Sequence, residues 1–379
     1  MKDIFKIILA LSILLSGCIS EFIPRTTQDQ EILVVEGLIT NRPETYTIKL
    51  SAPFHLGSNN VSHPISGSEV WVTDATNNSF VFTETQSGIY TSDSSKFQGV
   101  VGEIYTLHIN TNSKNTASNY QSIPAELKAV PPIDSIYYDK LTFATGADGT
   151  PTQQGAQIFL DTHDPTNQCK YFRWEYYEDW EFRLPYNVPN SLCWISNKSD
   201  LIHVKNTSAI SEAKVTKYPL TFIPNTTDRL REKYSILVTQ YSLNEDEYLY
   251  WEKLQNISEQ VGSLYDIIPS AIPSNIYCVD DPNQNVLGYF SVSASSSKRI
   301  FIKDHFAGVL SAYNDKTCIA DSVIGSGPIP NEGINVWVII DQPLPPPGLR
   351  VITRTKGCYD CRERGTIIRP DFWTGSKNR

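Results

Sequence analysis

The feature of this sequence that most constrains its fold is a series of short segments in which apolar and polar residues alternate. In the first third of the chain they read ILVVEGLIT, ETYTIKLS, SEVWVTD, SFVFTET, GIYTSD and IYTLHINT, with Asn, Gly, Pro and Asp between them. Successive side chains of a β-strand point to opposite faces, so this alternation predicts strands with one buried and one solvent-facing side. The turn-forming residues in the gaps favour antiparallel connections. The sequence therefore predicts a β-sandwich in this region.

The predicted organisation is two mainly β domains. We expect an immunoglobulin-like or carboxypeptidase-regulatory-like sandwich over residues 32–128. The stretch AVPPID (residues 129–134) marks the junction, because consecutive prolines stiffen the chain and exclude a helix. Strand-like segments resume beyond it, among them AQIFLDTHD, YSILVTQYSL and KRIFIKD. They predict a second β-rich, fibronectin III-like domain over residues 129–379, which ends in a Cys-containing segment.

One α-helix is predicted inside the second domain, near residues 244–261. Asn244 can cap its start, and the acidic residues that follow suit the positive end of the helix dipole. Gly262 is typical of a helix end. An apolar stripe at helical spacing is expected to pack against the sheet, and it consists of Tyr250, Leu254, Ile257 and Val261.

The N-terminus has the pattern of an export signal with a lipid anchor. Lys2 and Lys6 precede an apolar run that is far shorter than the roughly 20 residues needed to cross a bilayer. The run ends in LSGC, which matches the bacterial lipoprotein box. We therefore expect residues 1–17 to be a signal peptide, Cys18 to be acylated and residues 18–31 to be a tether. An ordinary signal peptide followed by a chance cysteine is the alternative.

The remaining cysteines are predicted to form structural disulfides. Seven cysteines occur in the chain, and removing Cys18 leaves an even number in an exported protein. Up to three disulfides are expected, with the pairing left open by the sequence. A zinc half-site or a redox pair is the alternative for the motif CYDC, and we expect neither metal nor cofactor. The disulfide candidates are Cys169, Cys193, Cys278, Cys318, Cys358 and Cys361.

An aromatic and acidic stretch, FRWEYYEDWEF (residues 172–182), raises the question of a sugar site. Strand alternation places all its rings except Tyr177 on one face together with Glu178. It places Tyr177 and the other charged residues on a solvent face, namely Arg173, Glu175, Asp179, Glu181 and the following Arg183. A core strand is the favoured interpretation. Catalysis is disfavoured, because a glycosidase needs two carboxyl groups facing each other across a cleft. The less favoured alternative is a ligand-stacking platform formed by Trp174, Tyr176, Glu178 and Trp180.

The sequence contains little else that predicts chemistry. The formal net charge is −9 with dispersed charges, so we expect no nucleic acid partner. No phosphate-binding loop, metalloprotease helix or nucleophile elbow occurs. LDTHDPTN (residues 160–167) only loosely matches a calcium loop, and its Asp-Pro pair is typical of a turn. We therefore expect a protein that is not an enzyme.

Several blocks of this sequence together resemble a known family. LVVEGLIT, PPIDSIYY, YFRWEYYEDWEF, YSILVTQYSL and VLGYFSVS resemble successive blocks of a Bacteroidota lipoprotein family, catalogued as a domain of unknown function (family 4249). The resemblance covers nearly the whole mature chain and brings no catalytic residues with it. It implies an outer-membrane lipoprotein, often encoded beside a TonB-dependent receptor.

The expected function follows from the anchor, the fold and this resemblance. We expect a non-enzymatic protein held in the outer-membrane lipid bilayer by acylated Cys18, acting as an accessory of a TonB-dependent transporter. The cell surface is the expected side, with the periplasmic face left open. A surface adhesin or envelope-structural protein is the first alternative, and a surface hydrolase the second. The sequence does not identify a small-molecule or glycan ligand.

Overall fold

The computed structural model describes residues 32–53, 63–112, 117–144, 151–260, 272, 274–304, 318–325, 338–342 and 348–373. The protein is mainly β, as predicted. The predicted signal peptide, the lipidation site Cys18 and the tether lie outside the described residues. Among the helices that are described, none has the length and apolar character to cross a membrane.

The strands are numbered here in chain order. They are β1 (Leu33–Ile39), β2 (Thr47–Ala52), β3 (His63–Pro64), β4 (Glu69–Asp74), β5 (Ser79–Gln86), β6 (Ile89–Thr91), β7 (Ile104–Asn112), β8 (Ala117–Ser122), β9 (Ala125–Glu126), β10 (Ile133–Ala144), β11 (Pro151–Asp164), β12 (Tyr171–Arg183), β13 (Leu192–Lys198), β14 (His203–Asn206), β15 (Ala213–Pro224), β16 (Tyr234–Leu243), β17 (Ile276–Cys278), β18 (Val286–Val292), β19 (Ser295–Ile302), β20 (Ala320–Ile324), β21 (Val338–Asp341) and β22 (Leu349–Thr353). The α-helix α1 spans Glu245–Gln260, and short 3-10 turns lie at Asp228–Leu230, Lys356–Cys358 and Cys361–Glu363.

The first sheet has 11 strands and encloses its own hydrophobic core. Its main order is β17-β8-β7-β4-β5-β6-β2-β1-β18, with β3 paired to β2 and β9 to β7. The strands at the two ends, β17 and β18, contact each other, so the sheet curves around one apolar cluster. Members of that cluster come from both ends of the sheet and include Val35, Val72, Leu107, Ile276 and Phe290.

The composition of this sheet corrects the predicted domain boundary near residue 128. Strands β17 and β18 come from far beyond that boundary, yet β18 pairs with β1 in parallel from Leu33↔Val286 to Ile39↔Val292. Gly288 lies within this pairing at φ +88°, and a Cβ there would approach the Val35 carbonyl oxygen to 1.9 Å. Glycine is therefore required where the two strands come close. The first structural unit thus combines residues 32–128 with a returning segment that contains β17 and β18.

The second unit is a two-layer sandwich. A three-stranded sheet, β10-β11-β15, packs on a five-stranded sheet in which β13-β12-β16-β19 are neighbours and β14 also pairs with β12. One cluster of buried residues fills the space between them, and it includes Ile158, Trp174, Ile223 and Ile236. A separate three-stranded sheet, β20-β22-β21, belongs to the C-terminal segment.

Helix α1 connects the two units, because it leaves β16 of the sandwich and leads toward β17 of the first sheet. It begins one residue after Asn244, as the sequence predicts, and its first turn is acidic. The helix contacts β12, β14 and β18. Its predicted end at Gly262 lies outside the described residues.

The disulfide prediction is confirmed for some cysteines and wrong for others. Cys193 bonds Cys361, and Cys318 bonds Cys358. Cys169 and Cys278 are free and buried, so the expectation of a third disulfide is wrong for this pair. Burial raises the pKa of the Cys169 thiol to about 12, which makes the thiol unreactive at neutral pH. The two cysteines of CYDC bond different partners, so they form neither a redox pair nor a zinc half-site.

Candidate functional site

The inner face of β12 is the core face that the sequence predicts. Its rings, with Trp174 the most deeply buried, lie between the two layers of the sandwich. The Trp174 indole donates a hydrogen bond to Gln240 Oε1 at 2.8 Å. The side chains of Trp174, Tyr176 and Trp180 are all buried. The ligand-stacking platform proposed from the sequence is therefore not formed, since no ring is left open to a ligand.

Glu178 is the carboxylate on this aromatic face, and it has the partners that burial requires. Its side chain is 2% exposed. Its Oε1 accepts hydrogen bonds from Tyr234 Oη at 2.6 Å and from Arg229 Nη1 at 2.9 Å, and its Oε2 accepts one from Asn197 Nδ2 at 3.4 Å. Burial and the neighbouring Glu178 raise the pKa of the Tyr234 hydroxyl well above its usual value. This cluster holds the sandwich together and is closed to a substrate.

The outer face of β12 was predicted to face solvent, and that prediction is wrong for most of its charged residues. Arg173, Asp179 and Glu181 are buried. Asp179 accepts hydrogen bonds from Arg299 Nη1 at 2.8 Å and from Ser196 Oγ at 2.6 Å. Glu181 accepts one from the Trp373 indole at 2.7 Å. Helix α1 and the C-terminal segment cover this face from opposite ends of the strand, and a period-two pattern gives no sign of such a cover.

Arg173 differs from the other buried charged residues of β12. Its side chain is only 10% exposed, and its guanidinium carbon lies 4.5 Å from the ring centre of Tyr241 and 4.3 Å from that of Trp251. Nη1 lies 3.8 Å from Glu175 Oε2, which is an ion pair but too long for a hydrogen bond. Nε is buried and has no hydrogen-bond partner within the described part of the chain. A buried guanidinium with an unpaired N–H donor is uncommon, because desolvated polar groups are normally hydrogen-bonded.

Arg173 lines a cleft of about 600 Å³ at the junction of the two units. One wall comes from β1, β2 and β18 of the first sheet, and the other from Arg173, Lys198 and helix α1. The volume lies within the range of roughly 300–1,000 Å³ that is usual for small-molecule sites. The cleft therefore combines a suitable size with a guanidinium whose Nε is unpaired within the part of the chain that the structure describes.

Helix α1 contributes aromatic and aliphatic side chains to the cleft. Tyr250, Trp251 and Leu254 line it, together with Tyr289 of β18. The Tyr250 and Tyr289 rings lie 4.8 Å apart between centres. Tyr250 and Leu254 are half-buried, and Tyr250 packs on Tyr289 of β18, so the predicted contact of the helical stripe with a sheet is confirmed for Tyr250. Both residues also face the cleft.

The other cations of the cleft are already paired. Lys49 Nζ lies 3.6 Å from Glu36 Oε2, and Lys198 Nζ lies 3.5 Å from Glu175 Oε2. Burial opposes the ionisation of Glu175, but Arg173, the Tyr241 hydroxyl that donates to it and Lys198 outweigh burial, so its pKa is lowered. Glu175 is thus a carboxylate near neutral pH.

Glu247 of α1 is a second carboxyl group near Arg173 and is fully enclosed. It accepts a hydrogen bond from Ser293 Oγ at 2.9 Å. Burial raises its pKa, against the opposing effects of Ser291, Arg173 and Ser293. Glu247 is therefore more easily protonated than an exposed glutamate, although the positive charge of Arg173 favours its ionised form.

Sequence reasoning missed Arg173 as a site residue because its face of β12 was taken to be in solvent. A usable signal was the combination of an Arg inside an aromatic strand with a Tyr-Leu-Tyr-Trp run at the start of a nearby helix. Such rings are suitable for stacking on a guanidinium.

The predicted turn at residues 160–167 accounts for the weak calcium motif. The Asp164 side chain accepts hydrogen bonds from the backbone N–H groups of Thr166, Gln168 and Cys169. Its oxygens are therefore engaged in the turn. Among the residues that the structure describes, no group of His, Cys, Asp or Glu is arranged to hold a metal ion.

His203 on β14 gives a testable pH dependence of stability. The ring is buried beside Tyr176 and Tyr218, and burial lowers its pKa to about 4. The unfolded chain binds this proton near pH 6.5, so stability is complete above that pH and falls as the pH drops toward 4. At pH 5 we expect a loss of about 2 kcal/mol from this group. Urea unfolding at pH 7 and pH 5 should show a smaller pH effect in His203→Gln, whereas an equal effect in both proteins would contradict the assignment.

The comparison with protein-family models is decisive for the family. A model described as a domain of unknown function, DUF4249, matches residues 19–299. The chain belongs to the DUF4249 family. The matched region includes every strand and the helix that line the cleft, whereas the disulfide-linked C-terminal segment lies beyond it. No curated protein matches the chain. The DUF4249 description assigns no activity.

Proposed function

We propose that this DUF4249 protein is a non-enzymatic, lipid-anchored binding protein of the outer membrane that acts as an accessory of a TonB-dependent transporter. The observation that carries the binding role is the buried Arg173, whose Nε has no hydrogen-bond partner among the described residues and which lines an open cleft. The anchor rests on the LSGC motif at Cys18. The transporter partner and the Bacteroidota outer membrane rest on the family resemblance.

Binding is favoured over catalysis by the state of the carboxyl groups. General acid–base catalysis needs a carboxyl group that reaches the substrate and whose pKa suits proton transfer. Glu178, Asp179 and Glu181 are held in internal hydrogen bonds away from the cleft. The cleft is lined mainly by cations, aromatic rings and aliphatic side chains, which suit binding. The carboxylate among its described lining residues, Glu36, is an exposed ion-pair partner of Lys49. A hydrolase is therefore the weaker proposal.

The position of the cleft suits a lipid-anchored accessory protein. Strand β1, which begins at Leu33, lines the cleft and follows directly after the proposed tether of residues 18–31. The acyl chains on Cys18 would be stably held, since each buried CH₂ contributes about 0.8 kcal/mol. A short tether then keeps the cleft close to the membrane, where a transporter can receive what is bound.

The anchor and the partner are tested together in the host cell. We expect labelled palmitate to enter the wild-type protein and the protein to co-purify with a β-barrel receptor from solubilised outer membranes. Cys18→Ala should lose the label and the membrane association, whereas the matched control Cys169→Ala, at a buried free thiol, should keep both. An unlabelled wild-type protein, or a labelled one that purifies without a barrel, contradicts the respective half of the proposal.

A further inference from the structure

We propose that the cleft binds a small organic acid, with its carboxylate held by Arg173 and its apolar body against the rings of α1 and β18. This inference deepens the proposed binding role and rests on it. It names the chemical class of the ligand for a site that the family description leaves without one.

The charge of the cleft selects a monoanion. Lys49, Lys198 and Arg173 are three cations, whereas the carboxylates that form ion pairs with them are two, Glu36 and Glu175, so one positive charge is left unbalanced among these groups. One carboxylate group on a ligand would balance the remaining positive charge. A dianion such as a phosphate monoester would bring a second negative charge near Glu175 and Glu36, which is unfavourable.

The guanidinium is also held in a way that suits a carboxylate. Contacts with the Tyr241 and Trp251 rings fix its position, so little conformational freedom is lost when a ligand binds. A planar guanidinium can donate two parallel hydrogen bonds to a carboxylate, which a lysine ammonium cannot do. Because Arg173 is already desolvated, the ligand gains hydrogen bonds without stripping water from an exposed cation.

The rest of the cleft provides apolar surface against which the apolar body of the ligand can pack. Trp251, Tyr250 and Tyr289 provide aromatic surface, and Leu38 and Leu254 provide aliphatic surface beside it. A carboxylic acid with an aromatic or aliphatic body satisfies both parts of the site. The same chemistry is found in a free acid and at the C-terminus of a short apolar peptide, so the experiment includes both.

The first test uses the wild-type protein and compares acids with their neutral amides by calorimetric titration. The probes are indole-3-acetate, 4-phenylbutyrate, decanoate and the dipeptide Leu-Phe, each beside its amide, with phenyl phosphate as the dianion. We expect at least one acid to bind at least about 10-fold more tightly than its amide, the loss expected when a charge-assisted hydrogen bond is removed. Binding of free acids alone identifies the source as a small acid, and binding of Leu-Phe identifies a peptide C-terminus. Equal affinity for acids and amides, binding of phenyl phosphate alone, or no binding by any acid overturns the proposal.

The second test uses variants of the arginine. Arg173→Lys keeps the charge but loses the paired donors, and we expect it to weaken acid binding by about 10- to 100-fold. Arg183→Lys is the matched control, because Arg183 lies on the same face of β12 outside the cleft, and it should bind as the wild type does. Circular dichroism confirms that each variant folds. Unchanged affinity in Arg173→Lys overturns the proposal.

The outcomes separate this inference from the proposed function. Co-purification with a barrel receptor does not require Arg173. Receptor association without acid binding therefore counts against the organic acid alone, whereas acid binding without receptor association counts against the transporter role alone.

Discussion

Replacing Arg229 with methionine is expected to lower the free energy of unfolding by about 3–5 kcal/mol, the range for a buried charge that loses its partner. Glu178 is 2% exposed, and Arg229 Nη1 lies 2.9 Å from its Oε1. The Tyr234 hydroxyl and the Asn197 amide would remain as hydrogen-bond donors, but neither can neutralise the carboxylate. Urea unfolding at pH 7 measures the loss.

The matched variants separate the buried charge from the loss of side-chain packing. Glu178→Gln removes the charge and leaves Arg229, which is 23% exposed and can be hydrated, so we expect a smaller loss of about 1–3 kcal/mol. The double variant should recover part of the loss seen with Arg229→Met. Lys96→Met breaks an exposed pair with Asp93 and should change stability little. An Arg229→Met protein as stable as Lys96→Met would show that Glu178 does not depend on this partner.

The sequence predicts that Glu178 needs a hydrogen-bonding partner, but it does not predict which residues are the partners. Strand alternation puts a carboxylate among rings, and the energetics of burial then demand donors. The donors come from a 3-10 turn at Arg229 and from the neighbouring strands at Tyr234 and Asn197. Which of these segments lies opposite Glu178 depends on strand pairing, and local periodicity does not encode pairing.

The distinction between local periodicity and strand pairing also explains which parts of the fold were predicted. The alternating strands, the β-rich class and the start of α1 directly after Asn244 follow from local pattern and are observed. The parallel pairing of β1 with β18 joins segments about 250 residues apart and was not predictable from periodicity. The sign of this pairing in the sequence is Gly288. That position 288 requires glycine becomes apparent only when Val35 is known to lie beside it.

The candidate site was missed for a related reason. An amphipathic strand predicts a solvent face only if nothing else covers that face. Here α1 covers Arg173, and the segment ending at Trp373 covers Asp179 and Glu181. A strand with charged residues on its second face can therefore be buried on both sides, provided that each charge finds a partner. Arg173 has an ion pair with Glu175 but an unpaired Nε among the described residues, and this incomplete pairing points to the cleft.

Removing the Cys193–Cys361 disulfide is expected to have the largest effect on stability. The bond joins residues 168 positions apart, so it restricts the unfolded chain strongly. The chain-entropy model gives a loss of about 5 kcal/mol for a loop of this length and about 4 kcal/mol for the Cys318–Cys358 loop, which has a separation of 40. Urea unfolding of the two Cys→Ala double variants, Cys193→Ala with Cys361→Ala and Cys318→Ala with Cys358→Ala, measures both losses.

The location of the bond predicts a second, local consequence. Cys193 and Cys361 pack with Phe182 and Leu184, and the chain beyond Cys361 places Trp373 over Glu181. Without the disulfide this segment is held only by non-covalent contacts, so it should open more often and expose its basic residues to trypsin. We expect the Cys193→Ala, Cys361→Ala protein to be cut after Arg364 well before the rest of the chain, and the Cys318→Ala, Cys358→Ala protein to resist longer. Because the cleft at Arg173 lies at the other end of β12, ligand binding there should survive this cleavage. If cleavage of the C-terminal segment also abolished ligand binding, the segment and the cleft would belong to one cooperative unit.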